Sequence, residues 1–375
     1  MKWSWRIATV FGIGVYLHFT FLILMFFLLL APVLRGDGIG TGLMWTLKGV
    51  ALFAIVVLHE LGHALAARRF DIATRDITLL PIGGVARLER MPEDPKQELV
   101  VAVAGPAVNV VLAVFAYGAL VVSSAAELHR GPVANLFLDP GVPVFLWLLG
   151  VNVALAAFNL IPAFPMDGGR VLRALLAMRT DYVRATHVAA YIGQGMALLF
   201  ILFGLLQGNP FIMFIALFVW MGATEEASMV QMRSALSGIP AWRAMITNFQ
   251  ALAPSDTLKT AVDHVIAGFQ QDFPVLDGGN LVGVLTRSDL LAGLADAGPE
   301  GAVGDTMVRD FQTANPADML DGVFVRIQEC KCRTIPVVAN GILVGILTAE
   351  NLGEFMMVQS ALRGSGSSKA MLRRF

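Results

Sequence analysis

Six stretches of mostly apolar residues, each about 20 residues or longer, dominate the chain: 8–33, 43–67, 98–123, 142–161, 185–206 and 211–231. A helix needs a run of this length to cross the ~30 Å hydrocarbon core of a bilayer. Only 15% of residues are charged, against roughly 25% in a soluble domain. The sequence therefore predicts a polytopic α-helical membrane protein of about six transmembrane helices. The last two runs are separated only by Gln207-Gly208-Asn209-Pro210, which predicts a tight helical hairpin. The N-terminal MKWSWRIATVF starts with basic residues, as a signal peptide does. No small-residue cleavage site follows, so 8–33 is read as a retained span.

Basic residues orient these spans. Lys2 and Arg6 precede the first. Arg68, Arg69, Arg75, Arg87, Arg90 and Lys96 lie between the second and third, and Arg170, Arg173, Arg179 and Arg184 between the fourth and fifth. The opposite loops hold only Arg35 and Arg130. Positive residues favour the cytoplasmic side, so both termini and the polar C-terminal part are expected there. A formal net charge of −1 gives no reason to expect a nucleic-acid partner. The two cysteines, Cys330 and Cys332, are read as ordinary thiols in a reducing compartment. Between the second and third spans, RDITLLPIGGVARLER alternates weakly, is rich in β-formers and turns at Pro81 and Gly83-Gly84. It predicts a short β hairpin near membrane depth, where non-helical backbone must be buried in protein or face a watery cavity.

The second run contains VVLHELGHALAA, which places His59, Glu60 and His63 at membrane depth. Ionisable side chains are costly there and need a strong partner. Histidines four residues apart project from nearly one face of a helix, one turn apart, which suits two imidazoles on one metal. Glu60 follows the first histidine and can reach a metal-bound water without binding the metal, so H-E-x-x-H is the helix signature of a zinc hydrolase. Catalytic zinc usually takes a third protein ligand. NLIPAFPMDGGR at 159–170 offers Asp167, beyond the helix breakers Pro162 and Pro165; the alternative there is an ordinary Asp-Gly turn at a membrane exit.

The C-terminal part is an internal repeat. MITNFQALAPSDTL from Met245 matches MVRDFQTANPADML from Met307, and FPVLDGGNLVGVLTRSDLL from Phe273 matches IPVVANGILVGILTAENLG from Ile335. The offset is 62 throughout, from Phe249 with Phe311 to Thr286 with Thr348. Each unit predicts a helix, two short strands around a glycine turn, and a second helix, so the pair forms one pseudo-symmetric α/β module. The domain boundaries expected are 1–235 for the membrane domain, 240–298 and 302–360 for the repeats, and 361–375 for a flexible tail.

HELGH within the second span, AGPAVN at 104–109 and NLIPAFPMDGGR together resemble the site-2 protease family of intramembrane zinc metalloproteases, peptidase family M50. The repeat resembles a paired cystathionine-β-synthase (CBS) module, and the combination is similar to the prokaryotic branch of the family. The resemblance implies one zinc ion held by His59, His63 and Asp167, with Glu60 as catalytic base and Asn159 positioning substrate or stabilising an oxyanion. It assigns Asn109 to support of the site. His18, in the first span, either lines the same cavity or makes a local hydrogen bond.

For the CBS pair the resemblance implies ATP, ADP or AMP in the cleft between repeats, held through a G-h-h-T-x-x-D element. Gly283, Thr286 and Asp289 keep that element. In the second repeat Gly345 and Thr348 are kept but Asn351 replaces the aspartate, so one complete and one weakened site are expected. A homodimer through the CBS modules is a further expectation. The substrate implied is a single-span transmembrane protein in the membrane of a prokaryotic cell. Its helix must unwind before it is cut, and an exposed edge of the 75–90 hairpin can pair with the freed backbone. The alternative is a non-enzymatic transporter or scaffold with a CBS regulatory module; the spans lack the repeated halves of many transporters.

Overall fold

The computed structural model describes residues 3–359, apart from 82, 90, 91, 93, 124–136, 138, 140, 269 and 331–333. The expected tail at 361–375 lies outside the described residues. The chain divides into two compact units, Met1–Val230 and Gln231–Phe375.

The first unit begins with strands. β1 (Ser4–Val10) and β2 (Ile13–His18) pair antiparallel through a turn in which Phe11 and Gly12 both have positive φ, 52° and 85°. This corrects the reading of 8–33 as one span, because only α1 (Phe19–Arg35) is helical. The local reason is a change of period hidden inside uniform apolarity. Thr9, Val10, Ile13, Val15 and Tyr16 favour strand, and Gly12 accepts the left-handed turn. His18 then caps α1, its Nδ1 accepting from the Thr20 backbone N–H at 3.3 Å. His18 thus takes the local role.

The unit continues with α2 (Ile39–Arg68), β3 (Thr74–Leu80), β4 (Gly83–Leu88), α3 (Pro95–Ser123), α4 (Val144–Asn159), α5 (Asp167–Ala177), α6 (Tyr182–Gln207) and α7 (Pro210–Leu236). Among the described residues, α2, α3, α6 and α7 are long and apolar enough to cross a membrane, while α1 and α4 are shorter apolar helices of 17 and 16 residues. The turn from α6 to α7 is made at Gly208, with φ 61°. β3 and β4 pair antiparallel, as expected for this stretch, and β2 pairs parallel with β3 to complete a four-stranded sheet in the order β1-β2-β3-β4. This pairing brings the start of the chain and the α2–α3 connection into one sheet.

Helix packing follows membrane rules. Large apolar side chains such as Phe26, Phe115, Leu199 and Phe214 are exposed, while the buried helix faces carry small residues such as Ala64, Ala67, Ala102, Ala189 and Ala197. With lipid as solvent there is no hydrophobic drive to bury a leucine, and small residues let helices approach. Buried polar side chains form ties. The fully buried Arg173 of α5 donates from Nε to Glu98 Oε1 of α3 at 2.8 Å and from Nη1 to Glu226 of α7, and it stacks over Phe164 and Tyr182. Removing this arginine would leave buried carboxylate charge uncompensated, which is costly.

In the second unit the repeat has structural meaning. Its elements are α8 (Leu258–Ala267), β5 (Phe273–Asp277), β6 (Asn280–Leu285), α9 (Arg287–Ala297), α10 (Val303–Thr306), α11 (Leu320–Cys330), β7 (Thr334–Ala339) and β8 (Ile342–Thr348). β5–β6 and β7–β8 are antiparallel hairpins with equivalent registers: Val275 opposes Gly283 as Val337 opposes Gly345, and each register shifts at the next residue. The repeats also exchange contacts. Ile246 bridges to Ile346, and its counterpart Val308 bridges to Val284. The exchange explains the paired glycines, since a Cβ at Gly283 would sit 2.4 Å from Met307 Sδ and one at Gly345 2.9 Å from Met245 Sδ. Cys330 is disulfide-bonded, which corrects its reading as an ordinary thiol. Cys332 lies outside the described residues.

Candidate active site

His59 and His63 are buried one turn apart on α2, and α5 begins at Asp167. The structure brings the three together. His59 Nε2 lies 3.2 Å and His63 Nε2 3.1 Å from Asp167 Oδ2, and the two nitrogens are 3.1 Å apart. Among the described residues this is the group of histidine and carboxylate side chains arranged to hold a metal ion.

Tautomers decide what such a triangle can hold. His63 Nδ1 donates to the Val101 carbonyl at 2.7 Å, and His59 Nδ1 donates to Asn109 Oδ1 at 2.5 Å. With a proton on each Nδ1, both Nε2 atoms of the neutral rings present lone pairs, and both face a carboxylate oxygen. Three acceptors at this spacing repel one another unless a proton or a metal ion sits between them. Tetrahedral zinc with bonds of about 2.0–2.1 Å sets its ligand atoms about 3.3 Å apart, close to the triangle observed, and imidazole and carboxylate are its ordinary ligands.

Glycines make the convergence possible. A Cβ at Gly105 of α3 would lie 2.2 Å from His63 Nε2 and 2.7 Å from His59 Nε2, so only glycine leaves the pair room. A Cβ at Gly62 would meet the Ala104 carbonyl at 2.8 Å, which shows how closely α2 and α3 cross. At the Asp167 end, the segment 160–166 leaves α4 and folds back on α5. A Cβ at Gly168 would stand 2.2 Å from the Ile161 carbonyl and one at Gly169 2.6 Å from the Phe164 nitrogen. The Asp-Gly-Gly sequence thus lets the turn rest on the helix start. The other carboxylate oxygen, Oδ1, has Arg170 Nη1 at 3.9 Å.

Glu60, half-buried, follows His59 and faces the sheet: a Cβ at Gly84 of β4 would lie 3.0 Å from Glu60 Cγ. β4 is an edge of the four-stranded sheet. Asn159 ends α4 half-buried and donates from Nδ2 to the Leu155 carbonyl at 3.0 Å. The fully buried Asn109 donates from Nδ2 to Asn152 Oδ1 at 3.1 Å.

The chain compares directly with known proteins at this point. The family model described as Peptidase family M50 matches residues 49–139 and 141–202, and the CBS domain model matches 241–296 and 303–357. The zinc metalloprotease MJ0392 of Methanocaldococcus jannaschii is 30% identical over 96% of this chain and 97% of its own length. The chain belongs to peptidase family M50. It is an intramembrane zinc metalloendopeptidase with a CBS pair. Among solved structures, the site-2 protease from Methanocaldococcus jannaschii shares 38% identity, with a TM-score of 0.43, over 60% of this chain and 95% of that one.

The CBS residues singled out from the sequence fall into two settings. Thr286 caps α9, accepting from the Asp289 N–H at 3.2 Å, and its hydroxyl donates to the Asp289 carboxylate, so the two satisfy each other. Thr348 accepts from the Asn351 N–H at 3.0 Å, while Asn351 Oδ1 is buried with no hydrogen-bond partner. Thr348 and Asn351 border a cleft of about 610 Å³, together with His264, Asp272, Thr334 and Glu354. Asn152 and the Glu98–Arg173–Glu226 tie were not singled out from the sequence. A signal for Asn152 existed: it lies seven residues before Asn159 in an apolar helix, so two costly polar side chains share one face.

Proposed function

We propose that His59, His63 and Asp167 hold the zinc ion, that Glu60 is the catalytic base, and that the enzyme cuts single-span membrane proteins near their cytoplasmic boundary. The observation that carries this reading is the triangle of three lone-pair atoms, 3.1–3.2 Å on a side, built on α2 and α5. A zinc ion bound there supplies Lewis acidity and lowers the pKa of water towards 7. Glu60 accepts the proton of the attacking water and delivers it to the leaving nitrogen. Asn159 uses one amide hydrogen on Leu155 and has the second for a substrate carbonyl.

A substrate peptide bond must leave its helix before it can be attacked. Freed backbone groups in a dry site each cost several kcal/mol unless they are re-paired, on the order given by amide transfer to apolar media. The outer edge of β4, beside Glu60, offers ladder hydrogen bonds to an unwound segment. All six apolar helices cross the bilayer in this reading, with both termini and the CBS pair in the cytoplasm of a prokaryotic cell. The sheet shared by the N-terminus and the α2–α3 connection supports a common side for the two. His59 and His63 lie in the half of α2 that ends at Arg68, so the cut falls on the cytoplasmic side of a substrate's midpoint. Mass spectrometry of the fragments from a co-expressed single-span substrate tests this: termini mapping to the opposite half of the span would overturn it.

The CBS cleft bordered by Thr348 and Asn351 takes an adenine nucleotide that regulates the protease. The unpartnered Asn351 Oδ1 is an acceptor for a ribose hydroxyl or the adenine amino group. Isothermal titration of the full chain with ATP, ADP and AMP should give saturable heat with at least one. Asn351→Leu should weaken that binding about tenfold, the scale of one lost hydrogen bond. No heat with any nucleotide contradicts the sensor.

A further inference from the structure

Behind His59 the polar atoms form a line with a fixed direction. It starts at the Leu148 carbonyl, which can only accept. Asn152 Nδ2 donates to that carbonyl at 2.9 Å, so Asn152 Oδ1 is turned to Asn109. Asn109 Nδ2 donates to it at 3.1 Å, which turns Asn109 Oδ1 to His59. An amide oxygen accepts only, so the His59 nitrogen 2.5 Å away must be Nδ1–H. Reversing either amide would set oxygen against oxygen, and all three side chains are buried, where such a conflict is costly.

We infer that Asn152, through Asn109, is a positioning residue that locks His59 in its Nδ1–H tautomer and so holds the Nε2 lone pair ready for the metal. Asn152 makes its hydrogen bonds to Leu148 and Asn109, not to any of the three proposed ligands. The lock joins three helices, α2, α3 and α4, so the tautomer holds only while their packing holds. His63 differs, because its Nδ1 is held by a backbone carbonyl that no substitution removes. His59 is therefore the ligand whose readiness is written in side chains. Partners of this kind typically set metal affinity by 10–100-fold.

The inference rests on the proposed metal site, and two measurements separate its failure from the failure of that site. The first is zinc affinity by chelator competition on the purified full chain, comparing wild type, Asn152→Leu, Asn109→Leu and the double variant. Asn152→Leu should weaken zinc binding about 10–100-fold, and the double variant should lose no more than Asn109→Leu alone, since one broken link opens the relay. Losses that multiply in the double variant, or unchanged affinity in Asn152→Leu, would overturn the relay while leaving the metal site intact. A wild-type chain that binds no zinc would instead remove the site. The second measurement needs no variant of the relay. In the metal-free wild-type chain labelled with 15N-histidine, NMR should show His59 protonated at Nδ1 and bare at Nε2, with its signal assigned by His59→Gln. The reverse tautomer contradicts the relay whether or not the variants fold.

Discussion

The Glu60→Gln chain should bind zinc as the wild type does and release no fragment from a co-expressed membrane substrate. Glutamine keeps the shape of the side chain but cannot take a proton from water, so the loss falls on the chemical step. General-base removal typically costs 10²–10⁴-fold in rate, so the fragment should disappear from the blot. Zinc should remain because the carboxylate of Glu60 is not among the three atoms that converge, and His59, His63 and Asp167 keep their spacing without it. A blot for the fragment and a zinc assay on the same preparation give both readings. Wild-type cleavage by this variant would show that the base lies elsewhere, and loss of zinc would show that Glu60 supports the metal.

Gly105→Ala should empty the proposed metal site although it replaces none of the three proposed ligands. The added methyl would lie 2.2 Å from His63 Nε2, 2.6 Å from His63 Cε1 and 2.7 Å from His59 Nε2, distances no carbon sustains. Relief requires moving α3 or turning both rings, and either breaks the Val101 and Asn109 bonds that orient them. Displacement of this size costs on the order of 100-fold in turnover, and the zinc should be lost to a chelator that leaves the wild type loaded. Gly118→Ala on the same helix is the control, since a Cβ there meets nothing within 4 Å. Alanine also favours helix, so that chain should be at least as stable as the wild type. Equal zinc retention in the two variants would contradict the crowded-site geometry.

These expectations separate what the sequence made legible from what it hid. His59 and His63 were legible because helical spacing fixes their common face, and Asp167 because two prolines and two glycines mark a break beside it. The repeat was legible because one offset of 62 holds through strands, turns and bulges alike. The end of β1 and all of β2 were hidden inside 8–33, an apolar run in which only Gly12 and the β-formers mark the change. Asn152 and Arg173 were hidden for another reason: their meaning lies in partners on other helices, and no local pattern reports that Arg173 meets Glu98 and Glu226 in the interior.

Zinc-edge X-ray absorption on the purified full-length chain tests the central claim most directly. The account predicts one zinc with two imidazole nitrogens and carboxylate or water oxygens at about 2.0–2.1 Å and no sulfur. A sulfur neighbour at about 2.3 Å, or a chain that carries no zinc and still cleaves its substrate, would contradict it.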